Sequence, residues 1–455
     1  MAKQQVTKKS ITEYLDDDYH EYAKYVIEHR AIPSVIDGFK PTQRKVIFVA
    51  NKVWRKGNEK ALKIFQLAGK VASDAHYHHG DGSLNAAIVG MAQKFKNSMP
   101  VLEEIGQFGS LRSPEAGAPR YISTKLHPNF RQLYMDFELL TPRYEEGNEI
   151  EPEYFLPIIP TVLLNGGSGI AVGFATNILN RNPLDLIDCC LKRLDGKKFK
   201  EPAPWYFGYS GERIQDPEKP SSWTFKGTFD VKNTTTVEIT ELPPSMTYEK
   251  FDTYLNKLSD ENKVVDYENN CKSDVNYILK FRRKDLSDLE KGDRLTRFLK
   301  MEERQTENLT VLDENGNLRV FDRPAEIIEY FVDFRLKYYD KRKAHLISTL
   351  EHELMVLSNR ARFIKAIIDG KLKVNNVPKS QIILYLQTDN FDEIDGSYNY
   401  LLNMPIHTLT KEKYEELLSN EHQKQIELDE VKKKEPAQMY KSDLLDLKKS
   451  LSKIY

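Results

Sequence analysis

A tyrosine placed beside an arginine, after a run of small residues, can serve as a nucleophile toward phosphorus. Tyr121 follows Arg120 and the lead-in Ala116-Gly117-Ala118-Pro119. A phenol with an ordinary pKa near 10 attacks poorly at neutral pH. Attack on a phosphodiester therefore needs cations that stabilise the phenolate and the pentacovalent transition state. Arg120 offers a planar fork of donors for the phosphate oxygens. The chain holds 24 tyrosines, so residue chemistry alone does not single one out. A second constellation is His76-Tyr77-His78-His79-Gly80-Asp81. Neighbouring histidines in one turn rarely converge on an ion without cysteine or carboxylate ligands at the proper spacing. A histidine that holds a phosphate or relays a proton beside a tight turn is the preferred reading. The third constellation is Arg30 followed by Asp37-Gly38-Phe39-Lys40-Pro41-Thr42-Gln43-Arg44-Lys45. Here a turn delivers Lys40 and a helix start delivers Arg44 and Lys45, and both features suit the phosphates of a nucleic acid.

Charge distribution points the same way. The formal net charge is only -1, yet between Arg30 and Lys70 there are ten Lys or Arg against Asp37 and Glu59, a local balance of 10 − 2 = +8. A basic patch inside a neutral chain is the footprint of a DNA-binding face, although a solvated lysine-rich surface carries the same count. Apolar residues make up 40% and charged residues 30%, the balance of a folded globular protein. Cys189, Cys190 and Cys271 cannot build a disulfide framework or a four-cysteine zinc site, and a reducing compartment fits them. The N-terminus lacks the apolar core of a signal peptide. The most apolar stretch, Pro157–Ala175, is interrupted by Pro160, Asn165 and several glycines and serines, so it is not read as a membrane span.

The elements that must position these residues follow from periodicity. At 455 residues, two to four domains are expected. Residues 1–150 read as mostly helical. Helices are expected over Ile11–His29, from Pro41 through Val53, over Ala61–Ala75 and over Ser83–Phe95, the last two split by the turn at 79–82. Several short helices, one of them basic, indicate a helix-turn-helix or winged-helix DNA reader. Residues 151–180 form a Pro- and Gly-punctuated crossing. Residues 181–325 alternate helix and strand: Val275, Tyr277, Leu279 and Phe281 have period two, and Asn315-Gly316 marks a hairpin between Leu309–Leu312 and Leu318–Phe321. After Pro324, Leu350, Leu354, Leu357, Ala361, Ile364 and Ile368 are spaced 4, 3, 4, 3 and 4, a coiled-coil seam. Leu444, Leu447, Leu451 and Ile454 repeat the pattern near the end. The economical arrangement is an antiparallel helical pair with a small globular knob at its tip. The fold class is thus multidomain α+β.

Seven segments occur in order: Arg30-Ala31-Ile32-Pro33, Asp37-Gly38-Phe39-Lys40-Pro41, Gln43-Arg44-Lys45, Tyr77-His78-His79-Gly80, Gly106-Gln107-Phe108-Gly109, Pro119-Arg120-Tyr121-Ile122, and Glu151-Pro152-Glu153 through Gly173. Together they resemble the breakage–reunion region of type IIA DNA topoisomerases, shared by the eukaryotic enzyme and the gyrase A subunit. The run Tyr154–Gly166, with the chain length and short C-terminus, is most similar to the medium subunit of T-even-type bacteriophage topoisomerases. The resemblance is strong over 29–175 and mainly architectural beyond.

The resemblance implies three regions. Residues 1–150 would be a winged-helix cleavage domain, 151–325 a DNA-bending segment with an α/β tower domain, and 326–455 a coiled-coil arm with an exit-gate dimerisation knob. Tyr121 would form a 5′-phosphotyrosyl link and leave a 3′-hydroxyl. Arg120, Arg30 and His79 would surround the scissile phosphate. Lys40, Arg44, Lys45 and His78 would contact DNA, and Ile170 would wedge between base pairs, bending the cut duplex. Residue chemistry alone places Ile170 in a core. Neither a Gly-rich P-loop nor a toprim-type metal motif is legible. Asp16-Asp17-Asp18 has Asp-x-Asp spacing but lies in a helical, tyrosine-rich segment. Mg²⁺ and ATP are therefore expected on a large partner subunit with toprim and ATPase domains, assembled with a homodimer of this chain on double-stranded DNA. A phage-encoded chain would act in the cytoplasm of the bacterial host. The acid Glu115 near the cleavage turn has no assigned role. An architectural DNA binder, or a tyrosine recombinase with its catalytic residues in another order, are the competing classes. The absence of a wrapping domain favours relaxation over supercoiling.

Overall fold

Pro41 opens a helix because its missing N–H is one of those a first helical turn leaves unpaired anyway. In the computed structural model, which describes residues 10–57, 59–272 and 274–455, that helix (α1) runs over Pro41–Val53. Its apolar stripe of Val46, Ile47, Val49 and Ala50 is buried. A short strand β1 (Leu62–Lys63) leads into α2 (Ile64–Asp74), and α3 (Asp81–Ala92) follows the histidine turn. The three helices pack on one another through Leu67 and Val71 of α2 and Leu84, Ile88 and Met91 of α3. Strand β2 (Ser123–Thr124) pairs antiparallel with β1, Leu62 opposite Thr124 and Lys63 opposite Ser123.

The N-terminal helical stretch over 11–31 is longer and less regular than the periodicity predicts. Two π-helical segments, Tyr14–Tyr19 and Ile27–Ala31, alternate with α-helix. Most of its side chains before Val26 face solvent, so its apolar spacing covers no core here.

Three of the hairpins among the described residues lie beside the basic and histidine motifs. Strands β3 (Arg143–Glu145) and β4 (Asn148–Ile150) form one, and β5 (Gly167–Ile170) and β6 (Ala175–Ile178) form the second. The region between 228 and 281 is the α+β layer expected from the period-two pattern. Its strands β7 (Thr228–Asn233), β8 (Thr236–Glu241), β9 (Asp266–Asn269) and β10 (Tyr277–Lys280) lie in the order β7-β8-β10-β9, all antiparallel. Helix α4 (Tyr248–Asp260) covers one face with Phe251 and Leu255, against Val237, Ile239, Tyr277 and Leu279. The third hairpin pairs β11 (Leu309–Leu312) with β12 (Leu318–Phe321) around Asn315-Gly316. Asp313 closes its turn by accepting from Asn315 N and Asn317 N at 2.9 and 2.8 Å.

The chain divides into two units, one comprising residues up to 335 with 441–455 and the other 336–440. Helix α5 (Pro324–Ile368, 45 residues) starts in the first and continues into the second. Within the second unit, α6 (Lys411–Lys433) runs antiparallel to it. Lys432 pairs with Glu351, Lys424 with Glu353, and Leu417 packs on Ala361 and Ile364. The insert between them packs Ile382, Leu386, Phe391, Tyr398 and Leu401 around Phe363 of α5. Among the described residues no helix is long and apolar enough to cross a membrane.

Candidate active site

Gly38 is the pivot on which the basic motif turns. Its φ of +71° lies in the left-handed region, and a Cβ there would stand 2.7 Å from Val162 N, so glycine is needed on both counts. The turn buries Asp37 completely. Its carboxylate accepts from Phe39 N at 3.0 Å, from Phe155 N at 3.1 Å and from Arg44, whose Nε and Nη2 donate at 2.7 and 3.0 Å. The Asp37 carbonyl accepts from Tyr134 Oη and Thr161 Oγ1 at 2.9 and 2.7 Å. Asp37 thereby ties the start of α1 to the 154–164 segment.

Two of the cations expected to contact DNA are engaged within the fold. Arg44 points inward and is only 7% exposed, with its guanidinium committed to Asp37. Burial works against its charge, but Asp37, aided by Glu151, outweighs that and holds the pKa above its ordinary value. Lys45 is also engaged, its Nζ donating to Ala75 O at 2.6 Å and to the Glu151 carboxylate at 3.0 Å. Lys40 is different. Its Nζ donates to Ser168 O at 2.7 Å, near the surface, and partial burial lowers its pKa.

Lys40 meets the β5–β6 hairpin because Gly169 lets the backbones approach. A Cβ at Gly169 would fall 2.1 Å from Ala31 O. One residue on, Ile170 is 88% exposed. The core position that residue chemistry favours is therefore wrong. A bare β-branched side chain stands at the end of a short hairpin anchored through Asn177 to Asn308, paired with Ala175, and Phe174 in the turn is also exposed.

Tyr121 sits on a tight turn, its N–H donating to Ala118 O at 2.9 Å. The turn is held against the N-terminal end of α2: Phe65 N donates to Pro119 O at 3.4 Å, Ile64 N to Ile122 O at 3.1 Å, and Lys63 Nζ to Tyr121 O at 2.8 Å. The Tyr121 side chain is 72% exposed. Arg120 is exposed too and forms no ion pair with any described carboxylate. Lys63 was only one of ten cations in the basic window, and nothing in its spacing distinguishes it as the clamp of the tyrosine turn.

The histidine turn follows the other end of α2. His79 Nε2 lies 3.0 Å from Tyr25 Oη, and its ring meets Tyr77 edge-on at 5.4 Å between centroids. Burial pushes the Tyr77 phenol up, while the positive charge of Arg30 draws it back, so Arg30 shares this neighbourhood. His79, Lys45, Tyr25, His76, His78 and Glu145 line one cleft of about 710 Å³. Tyr121 does not line it. The 11 residues of α2 span about 16 Å at 1.5 Å per residue, with Tyr121 at one end and His79 beyond the other. One chain thus brings Tyr121 together with Arg120 and Lys63, and His79 together with Arg30 and Tyr25, without joining the two sets. Asp16, Asp17 and Asp18 lie on the exposed N-terminal stretch and join no group of converging metal ligands among the described residues.

Comparison with known proteins places this arrangement. The family described as the DNA gyrase/topoisomerase IV A subunit matches residues 30–446. The chain is 34% identical to DNA topoisomerase 2 of Arabidopsis thaliana over 475 aligned positions, covering 93% of this chain and 32% of that protein. It is 34% identical to DNA topoisomerase 2-alpha of Gallus gallus, covering 91% of this chain and 29% of that one. The crystal structure of the DNA-binding, cleavage and re-ligation domain of Plasmodium falciparum topoisomerase II superposes with a TM-score of 0.86 at 31% identity, over 97% of this chain and 64% of that one. The chain spans about a third of the length of these curated relatives.

Proposed function

The chain belongs to the family of DNA gyrase and topoisomerase IV A subunits, and on that premise we propose that it is the DNA-cleaving subunit of an ATP-dependent type II DNA topoisomerase, an isomerase that breaks one duplex, passes a second and religates. The observation that carries this reading is the Tyr121 turn. An exposed phenol stands beside an exposed, uncommitted arginine, on a loop fixed to the start of a helix by Lys63. In-line attack by the Tyr121 oxygen forms a 5′-phosphotyrosyl bond and releases a 3′-hydroxyl, and the reverse step restores the backbone. Arg120 donates to the phosphate oxygens as charge develops, the kind of contact whose loss typically costs about 10²–10³-fold in rate.

The separation along α2 supports a composite site. His79 and Arg30 of one copy would meet the Tyr121 turn of the other across a two-fold axis, which also gives one nucleophile per strand of a single duplex. His78 and Lys40 would hold DNA nearby. Ile170 would insert at a base step and bend the duplex, unstacking being offset by the extra surface a bent duplex contacts. Residues 1–150 would form the winged-helix cleavage domain, 151–325 the bending segment and tower, and 326–455 the arm whose knob closes the homodimer as an exit gate.

The residues at the Tyr121 turn do not fit a catalytic Mg²⁺. That ion takes near-octahedral oxygen ligands, and among the described residues the group of three converging ligand side chains is His76, His78 and Glu145, away from Tyr121. We assign Mg²⁺ and ATP to the toprim and ATPase domains of a large partner subunit, as in the bacteriophage enzymes that the Tyr154–Gly166 run resembles, acting in the host cytoplasm. The test is reconstitution. Purified chain is mixed with supercoiled DNA, Mg²⁺ and ATP, with and without the large subunit. Relaxation only in the complete mixture, and none with Tyr121→Phe, is expected. Relaxation or ATP turnover by the chain alone would overturn this division of labour.

A further inference from the structure

The histidine turn and the β3–β4 hairpin meet at a place where none of the residues proposed to act on the scissile phosphate takes part, and where His78 is the one residue also proposed to lie near DNA. Read from sequence, the histidines at 76, 78 and 79 lack a carboxylate at metal-binding spacing. The fold supplies one from 67 positions along the chain: Glu145 Oε1 lies 3.9 Å from His78 Nε2, and His76, His78 and Glu145 each offer a donor atom within 4.8 Å of the other two. His79 stays outside this group, engaged with the Tyr25 hydroxyl.

Two features show that the two segments are held together by more than chance contact. Lys45 Nζ donates both to Ala75 O, at the root of the histidine turn, and to Glu151, at the root of the hairpin. One half-buried ammonium thus fixes the spacing of both loops. His76 also holds φ at +48°, a left-handed conformation uncommon for a non-glycine residue. Its ring stands 6.2 Å from that of His78, and its Nε2 lies 3.5 Å from Asn148 Nδ2 of the same hairpin.

We propose that His76, His78 and Glu145 form a binding site for a divalent transition metal of the Zn²⁺ class, bridging the histidine turn and the β3–β4 hairpin. Two imidazoles and one carboxylate are the donor set of Zn²⁺ and its neighbours, whereas Mg²⁺ and Ca²⁺ select oxygen. Tetrahedral bonds of about 2.0–2.1 Å put ligand atoms roughly 3.3 Å apart. The present donors are somewhat wider. The His78 and Glu145 side chains are 74% and 42% exposed, so both can rotate inward without displacing core atoms. Three protein ligands leave the fourth position to water. A bound ion would pin the hairpin to the turn that carries His79. The site rests on ligand convergence and does not draw on the strand-passage reading, with which it shares only His78.

The test titrates the full chain with Co²⁺ and follows the visible bands, intense for four-coordinate and weak for six-coordinate cobalt, then displaces Co²⁺ with Zn²⁺ in the presence of excess Mg²⁺. Saturation at one equivalent, with bands bleached by Zn²⁺ and untouched by Mg²⁺, is expected. His76→Asn removes a ligand while keeping a residue that tolerates positive φ, and Glu145→Gln removes the carboxylate charge. Each should weaken binding at least about tenfold, in line with the sensitivity of metal sites to lost partners, with unchanged far-UV circular dichroism. His422→Ala, on α6, should bind as wild type. Absence of stoichiometric binding, or binding that survives both His76→Asn and Glu145→Gln, overturns the proposal.

Discussion

Replacing Arg44 by alanine separates a cation that holds the fold from one, Lys40, proposed to hold DNA. The guanidinium makes two charged hydrogen bonds to Asp37, at 2.7 and 3.0 Å, and a third to Phe39 O at 3.3 Å. Asp37 has no exposed surface. Removing Arg44 leaves a buried carboxylate with only the Phe39 and Phe155 amides as donors. Breaking such a pair costs about 3–5 kcal/mol, and the two remaining amides favour the lower end. At roughly 2 °C per kcal/mol for a large unit, the melting temperature should fall by about 5–10 °C in calorimetry. The double change Asp37→Asn with Arg44→Met should recover much of this loss, because it removes the stranded charge. The salt dependence of DNA affinity gives the second readout. Losing one phosphate contact lowers the slope of log K against log salt by about one. Lys40→Ala should show that decrease, and Arg44→Ala, measured below its melt, should not. An Arg44→Ala protein that melts like wild type but has a reduced salt slope would refute the inward assignment.

Two further outcomes follow from burial. Ile170→Ala should leave the melting temperature unchanged, since an 88% exposed side chain contributes no core packing. In fluorescence energy-transfer measurements on end-labelled duplexes it should reduce DNA bending, and it should weaken binding about 10- to 100-fold if the side chain is buried between bases; undiminished bending would remove it from the wedge role. His127 caps the helix Pro128–Leu133 by accepting Asn129 N at 3.1 Å on Nδ1, and burial, reinforced by Lys94 and Lys125, lowers its pKa against the pull of Glu103. The unfolded chain therefore binds this proton more readily than the folded one. The cap's contribution is complete above the unfolded value of about 6.5 and is lost as pH falls through the lower folded value. Melting temperature followed from pH 7 to 5 should decline more steeply for wild type than for His127→Asn.

Much of this architecture is legible in the chain because local rules and the fold agree. Pro41 starts a helix where its sequence position says it must, Asn315-Gly316 turns a hairpin, and the seam from Leu350 to Ile368 lies on one long helix whose partner returns antiparallel. Period two in 275–281 marks a strand, found over Tyr277–Lys280. What is not legible depends on contacts far apart in sequence. A local balance of +8 cannot tell a free lysine from one spent on a buried acid. Arg44 is taken by Asp37, seven residues back, and Lys45 by Glu151, 106 positions on. Ile170 reads as a core residue because its type, not its place on a hairpin end, dominates local reasoning. The same blindness hides Glu145 from His76 and His78, and Lys63 from Tyr121.

The central claim is that the Tyr121 oxygen becomes covalently joined to DNA. The direct measurement is to stop the assembled enzyme on duplex DNA with denaturant, digest the DNA and protein, and identify the adducted peptide by mass spectrometry while mapping the polarity of the cut ends. The expected result is a phosphodiester-linked nucleotide on the peptide carrying Arg120 and Tyr121, attached through a 5′-phosphate on both strands with free 3′-hydroxyls, and no adduct with Tyr121→Phe. An adduct on another residue, a 3′-phosphate linkage, or an adduct that persists in Tyr121→Phe would contradict it.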